Sequence, residues 1–417
     1  MTTYDLTKLQ PTSLELANGN RANLFASDSI ELLKLDLMFE AGSAYQTVPL
    51  CAGAANRLLT EGTANRSAKE VAEYLDFHGI TVEKSPNTYT STLSVYAMPK
   101  YADSLLPLVA EMVQQPAYSD EEVAKHIANR KQHLLSSFKQ TDYVARNLFY
   151  EALFGPNHPL GRYATADDAD RLCADDIRRF HDDYYHLGNA TIALAGHYDD
   201  HTLQLLDRYL GQAQPTAQPA LAGGLAPSWL QRPPQTLRHH MPGAAQTTLR
   251  VGCILPFDWQ SADCARFGVL KTILGGYFGS RLMTNIREDK GYTYGIYSQM
   301  LVLRSDILFF ITAEVDNDHA DDALGEICRE LEILATTPVG HDELDTVRQY
   351  MWGDFLRSVD GIFERSERYL NLRTSNIDDQ FSANLLDAMN NVQPDQLQAL
   401  AAETITPDRL TTVVVGP

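Results

Sequence analysis

The sequence predicts an α+β protein built by duplication: two homologous domains, each a mainly antiparallel sheet covered by helices. Three observations carry that reading. A Pro-, Ala-, Gly- and Gln-rich stretch, "QAQPTAQPALAGGLAPSWLQRPPQ" (212–235), lies near the midpoint of the 417 residues. Strand-like alternation occurs on both sides of it. The same order of elements then recurs in each half, at a period no single chance match explains.

The proline-rich stretch resists regular pairing and stiffens the chain, as a connection between domains does. It divides the sequence into an N-terminal domain (1–212), a linker (213–235) and a C-terminal domain (236–417). In the first half, "ELLKLDLMF" reads as a strand with Leu33, Leu35, Leu37 and Phe39 on one face and Lys34 and Asp36 on the other. Its counterpart is "QTTLRVGCILP". Each leads through a polar loop to a helix, "CAGAANRLLTEGT" (51–63) and "CARFGVLKTILGGYFGSRL". Later strands, "TYTSTLSVYAM" and "DILFFITAEV", are each followed by a helix, "YADSLLPLVAEMVQQ" and "HADDALGEICRELEILA". The next helices open on acidic residues, "SDEEVAKHI" and "GHDELDTVR", which suit a positive helix N-terminus. Both halves end in a strand, "NATIALAG" and "DRLTTVVVGP". Ser67 to Glu70, "SAKE", forms a capping box for a scaffold helix bearing Ala68, Val71, Ala72 and Leu75 and ended by Gly79.

Composition narrows function. Hydrophobic residues at 44% and charged residues at 21% fit a globular chain, not a disordered one. A net charge of −20 argues against sequence-independent nucleic-acid binding, which needs clustered Lys and Arg. No run approaches membrane-spanning length, and the first residues lack the basic start and apolar run of a signal peptide. Five scattered cysteines (Cys51, Cys173, Cys253, Cys264, Cys328) read as buried free thiols of a reducing compartment. The expectation is therefore cytoplasmic, or periplasmic if a leader was removed.

The histidines do not form a metal site by spacing. His197 and His201 in "HYDDH" span a turn, His126 and His133 flank Asn129 and Arg130 with no carboxylate, and "HDDYYH" (181–186) reads as aromatic packing. There is no GxSxG elbow and no Cys/His nucleophile context. "GGYFGSR" (275–281) lacks the ending of a phosphate loop and reads as a flexible glycine-rich loop.

The informative segment is "SRLMTNIREDKGYTYGIYSQ" (280–299), a helix, a charged turn and a Tyr-rich strand. The turn lets Arg287 and Tyr294 approach one cleft. Guanidinium and phenol are both strong donors, able to hold a peptide carbonyl and stabilise negative charge developing on it. The residues alone also admit an Arg at a helix end beside ordinary strand tyrosines.

This run resembles the Arg/Tyr motif of the pitrilysin/insulinase-type (M16) zinc peptidases, whose Arg and Tyr stand seven positions apart. That family includes mitochondrial processing peptidase and the core proteins of the cytochrome bc1 complex. "LMFEAGSAYQ", "LTEGTANRSAKEVAEYLDFHGITVE", "FGPNHPLGRYATADDADRLCADDIRRFHDDYYHLGNATIALAGHYD" and the duplication itself support the likeness. The resemblance implies a clamshell half that encloses peptides together with a second chain. It gives catalytic roles to Arg287 and Tyr294, with Gly275, Gly276 and Gly279 beside an extended peptide, although a structural turn explains those glycines equally well. Tyr292, at a position usually aliphatic, and Tyr297 read as packing residues.

Active members carry an inverted His-x-x-Glu-His helix just before the "GT" matched by Gly62 and Thr63. Here the helix reads "GAANRLLTEGT", with Asn56 and Arg57, and the third ligand, a Glu in the family, falls near Asn129. The expectation is no metal in this chain and zinc in a partner subunit carrying His-x-x-Glu-His. The pair would cleave unstructured peptides, with no role for nucleic acid or membrane. A non-catalytic scaffold subunit and a homodimeric peptide-binding protein are the rival readings.

Overall fold

The structure, a computed structural model, describes residues 4–219 and 232–417. Among these residues, strands β1 (Thr12–Glu15), β2 (Arg21–Ala26), β3 (Leu33–Phe39), β4 (Thr81–Pro86), β5 (Ser91–Ala97) and β6 (Thr191–Gly196) form one sheet. A second contains β7 (Thr236–His240), β8 (Thr247–Leu255), β9 (Thr293–Val302), β10 (Ile307–Val315) and β11 (Thr411–Gly416). Their orders are β1-β2-β6-β3-β5-β4 and β7-β11-β8-β10-β9. With β1 set aside, the second repeats the first position for position. Even the exception to antiparallel pairing recurs, since β2–β6 and β7–β11 are both parallel. The duplicated α+β architecture is as expected. Of the predicted linker, residues 220–231 lie outside the described residues; the preceding helix ends at Leu210 and β7 begins at Thr236.

One face of each sheet is covered by helices of its own half. Leu33, Leu35, Leu37 and Phe39 pack with residues of the Cys51–Arg57 and Ala102–Gln114 helices. Leu249, Val251 and Leu255 pack with the Ala262–Gly275 and Ala320–Thr336 helices. The capping box at Ser67 forms, and Gly79 ends its helix with φ +63.

The other faces are covered by exchange. The Thr141–Phe154 helix, from the N-terminal half, lies on β8 and β11, where Val144, Phe149 and Leu153 meet Phe310, Val413 and Val415. The Ile362–Thr374 helix, from the C-terminal half, lies on β2 and β6, where Leu370 meets Phe25, Met38 and Ala193. Each half therefore supplies the helix that dries the back of the other's sheet.

That exchange explains why β3 is buried on both sides. Lys34 and Asp36, opposite the leucine face, are only 2% and 1% exposed. Lys34 Nζ lies 2.8 Å from Glu367 on the covering helix and 3.5 Å from Asp36. In the other half, Arg250 of β8 reaches across to Asp142 at 2.8 Å. Arg304 adds a two-pronged bond to Glu40, at 2.6 and 2.8 Å.

Three cysteines, Cys51, Cys253 and Cys264, are buried thiols as expected, and burial pushes each pKa up to about 12. Two depart from the expectation: Cys173 is exposed at a helix N-terminus, its Sγ donating to Asp176, and Cys328 is only half-buried. Among the described residues, no helix is long and apolar enough to cross a membrane.

Candidate functional site

Arg287 and Tyr294 are brought together by two local irregularities of the backbone. Arg287 sits in a π-helical segment, Met283–Asp289, a wide turn often found at functional sites. Met283 and Ile286 anchor the segment in the core, leaving Arg287 on its outer side. The chain then reverses at Gly291, whose φ of +69 is easy for glycine and strained for other residues.

β9 begins with a bulge. Thr293 pairs with Val315 and Ile296 with Ala313, so Tyr294 and Gly295 together face Glu314. A bulge bends the strand and re-aims its side chains. The Thr293 hydroxyl braces it, accepting the Gly295 N–H at 3.1 Å and donating to the Glu314 carbonyl at 2.5 Å. The result is a Tyr294 side chain that is 91% exposed. Arg287 Nε donates to the Tyr294 carbonyl at 3.0 Å, and its guanidinium stacks 4.5 Å over the Phe278 ring. Arg287 is thus tied to the Tyr294 backbone, and the Tyr294 side chain stands in solvent at the same sheet edge.

The neighbours sort differently. Tyr292 stacks on His319 at 4.4 Å and packs against the core, as expected. Tyr297 does not: it is 47% exposed, its ring lying against Gly295. Gly275 also departs from the expected peptide-facing role. It is buried against β9, and a Cβ there would stand 2.7 Å from Ser298 N, so this glycine serves close packing of helix on strand. Gly276 ends the helix, where a Cβ would meet Thr272 at 2.5 Å. Gly279 is exposed beside Phe278.

In the N-terminal half, the Cys51–Arg57 helix presents Gly53, Asn56 and Arg57 at the spacing of His-x-x-Glu-His. Gly53 and Arg57 line a cavity of about 470 Å³, together with His126 and Arg130 of the Asp120–Ser137 helix. Asn56 is fully buried and turns toward β5, donating to the Thr92 carbonyl at 3.3 Å. Asn129, the position expected to match the third ligand, is exposed instead; His126 and Arg130 are the residues of that helix that meet Arg57. Burial, then the charges of Arg57 and Arg130, hold the His126 pKa below the usual histidine range. Of the other histidines singled out by spacing, His201 pairs with Asp103 at 2.9 Å, and His181 Nε2 bonds the Val113 carbonyl at 2.7 Å.

Two family models match this chain: "Insulinase (Peptidase family M16)" over residues 26–161 and "Peptidase M16 inactive domain" over residues 171–351. The chain belongs to the M16 peptidase family. Among M16 relatives, the uncharacterized zinc protease YmxG of Bacillus subtilis is 22% identical over 94% of this chain and 95% of its own length. The non-peptidase homolog YmxG of Helicobacter pylori is 24% identical over 58% of this chain and 55% of its own. In fold, the chain matches a peptidase M16 inactive domain from Pseudomonas fluorescens with TM-score 0.85, at 21% identity and 98% coverage of each. A protease from Helicobacter pylori matches with TM-score 0.87, at 18% identity, covering 98% of this chain and all of that one.

The residues at the M16 zinc position do not fit zinc. Gly53 offers no ligand, Arg57 is a permanent cation, and none of the cavity's lining residues is Asp or Glu. Among the described residues, no three His, Cys, Asp or Glu side chains converge to hold a metal.

Proposed function

We propose that this chain is the metal-free subunit of a two-chain M16 peptidase. The observation that supports the reading is the braced Arg287–Tyr294 turn in a chain whose Gly53, Asn56 and Arg57 offer no zinc ligands. A partner M16 chain bearing His-x-x-Glu-His supplies the water-activating zinc. Arg287 holds the substrate backbone, and the Tyr294 phenol donates to the carbonyl oxygen as negative charge builds on it. The exposure of Phe278, Tyr294 and Tyr297 supports a surface completed by a second chain.

The test is co-expression with such a partner and an assay on unstructured peptides, with and without chelator. Cleavage that requires both chains and metal is the expected result. Full activity from the partner alone would refute the reading. The relative named a non-peptidase homolog favours a second reading, a scaffold subunit, under which Tyr294→Phe leaves the partner's turnover unchanged.

A further inference from the structure

The cavity beside the Cys51–Arg57 helix is a concentration of unpaired positive charge in an acidic protein. Arg57, Arg130, Arg146 and Arg162 all line it, with His126. No Asp or Glu does, although the chain has 54 acidic against 34 basic residues. None of the four guanidiniums is ion-paired among the described residues: Arg130 contacts His133, Arg146 lies over the Tyr143 ring, and Arg162 donates to the Gln46 carbonyl. Charges of one sign in a concavity focus the field and raise the local concentration of counter-ions.

A second observation is independent of charge. Asn147, nine-tenths buried in the cavity wall, has a side-chain Nδ2 with no hydrogen-bond partner. A buried donor left unmade is costly; with almost no accessible surface, this one meets a group in the cavity only when the Asn147 side chain turns. Cations without anions around a concavity call for an anionic group.

We propose that this cavity binds the carboxylates of a peptide, at its C-terminus or on Asp and Glu side chains. Guanidinium forks match the planar carboxylate in two-pronged fashion. Peptide is favoured over a free oxyanion by the setting. The Pro86–Thr88 wall continues β4, whose outer edge pairs with no strand among the described residues, and the Tyr143 and Tyr163 rings offer surface for residues flanking the acid. The site does not use Arg287 or Tyr294, so it stands or falls separately from the peptidase reading.

The test is fluorescence anisotropy of the full chain with three labelled short peptides. One alternates Glu and Ala, one replaces Glu by Gln with a free C-terminus, and one is the Gln peptide as a C-terminal amide. The Glu peptide is expected to bind about tenfold or more tighter than the amide, the gain of one or more charge-assisted bonds. Arg57→Gln with Arg130→Gln, checked for folding by circular dichroism, removes the preference. Arg57→Lys, which keeps the charge and loses the two-pronged fork, retains only part of it. Equal binding of all three peptides by the unmodified chain overturns the proposal. So does a preference that survives the double substitution, or the single Arg57→Gln should the double variant not fold. Binding of inorganic phosphate with no binding of any peptide overturns it in favour of a free oxyanion.

Discussion

At the outer edge of the N-terminal sheet, β4 runs into a cavity with four guanidiniums and no carboxylate. At the equivalent edge of the C-terminal sheet, β9 bulges and raises Tyr294 into solvent beside Arg287. The two edges occupy the same place in the same strand order, yet one is concave and cationic while the other is open and aromatic. Duplication supplied two equivalent edges. One added residue in β9, and arginines gathered from three helices and a loop at the N-terminal edge, make them chemically different.

The halves are also fastened differently, and this gives the largest expected effect. Lys34→Met strands Asp36 in a site it cannot leave, and should cost about 3–5 kcal/mol in urea unfolding, as loss of one partner of a buried pair does. If the loss matches that of a surface substitution, the covering helix is not seated on β3 as described.

Next comes the site itself. Tyr294→Phe, assayed with a zinc-bearing partner, should lower turnover by about 10²–10³-fold with KM little changed, the signature of a lost transition-state donor. Tyr297→Phe, beside it on the strand, sharpens the comparison if its effect is much smaller.

Arg250→Met is the C-terminal counterpart of the Lys34 experiment. Its partner, Asp142, is 49% exposed and returns to water, so the expected loss is about 1–2 kcal/mol, measured the same way. Equal losses in the two halves would mean that the burial of Asp36 carries no special penalty.

The smallest effect is a pH dependence. Burial lowers the pKa of both His126 and His181 from 6.5, so the folded state disfavours their protonated forms. Their contribution is fully present above that value and is lost as pH falls through it toward the folded-state pKa. Melting temperature should therefore drop between neutral and mildly acidic pH. The drop should shrink in His181→Gln relative to the unmodified chain at each pH.

Much of this was legible in the chain. The alternation of "ELLKLDLMF" marked β3, the repeated order of elements marked the duplication, and the turn between Arg287 and Tyr294 marked the pair. The bulge at Tyr294 was not legible, because it exists only relative to the register of β10. Nor was the role of Gly275, since its need for a missing side chain comes from Ser298 in another element. Arg57 and Arg130 stood out as misfits for a metal. Their meeting with Arg146 and Arg162 depends on how three helices and a loop converge.

Local periodicity, capping and the order of elements follow from side-chain pattern and backbone preference, which neighbours in sequence largely decide. Those features the sequence determined by itself, along with the absence of zinc ligands from the helix that precedes Gly62 and Thr63. Which helix covers which sheet, and which charges end up buried or gathered in one cavity, were decided by tertiary structure. Burial and field depend on the atoms that pack nearby, and in this chain those atoms come from opposite ends of the sequence.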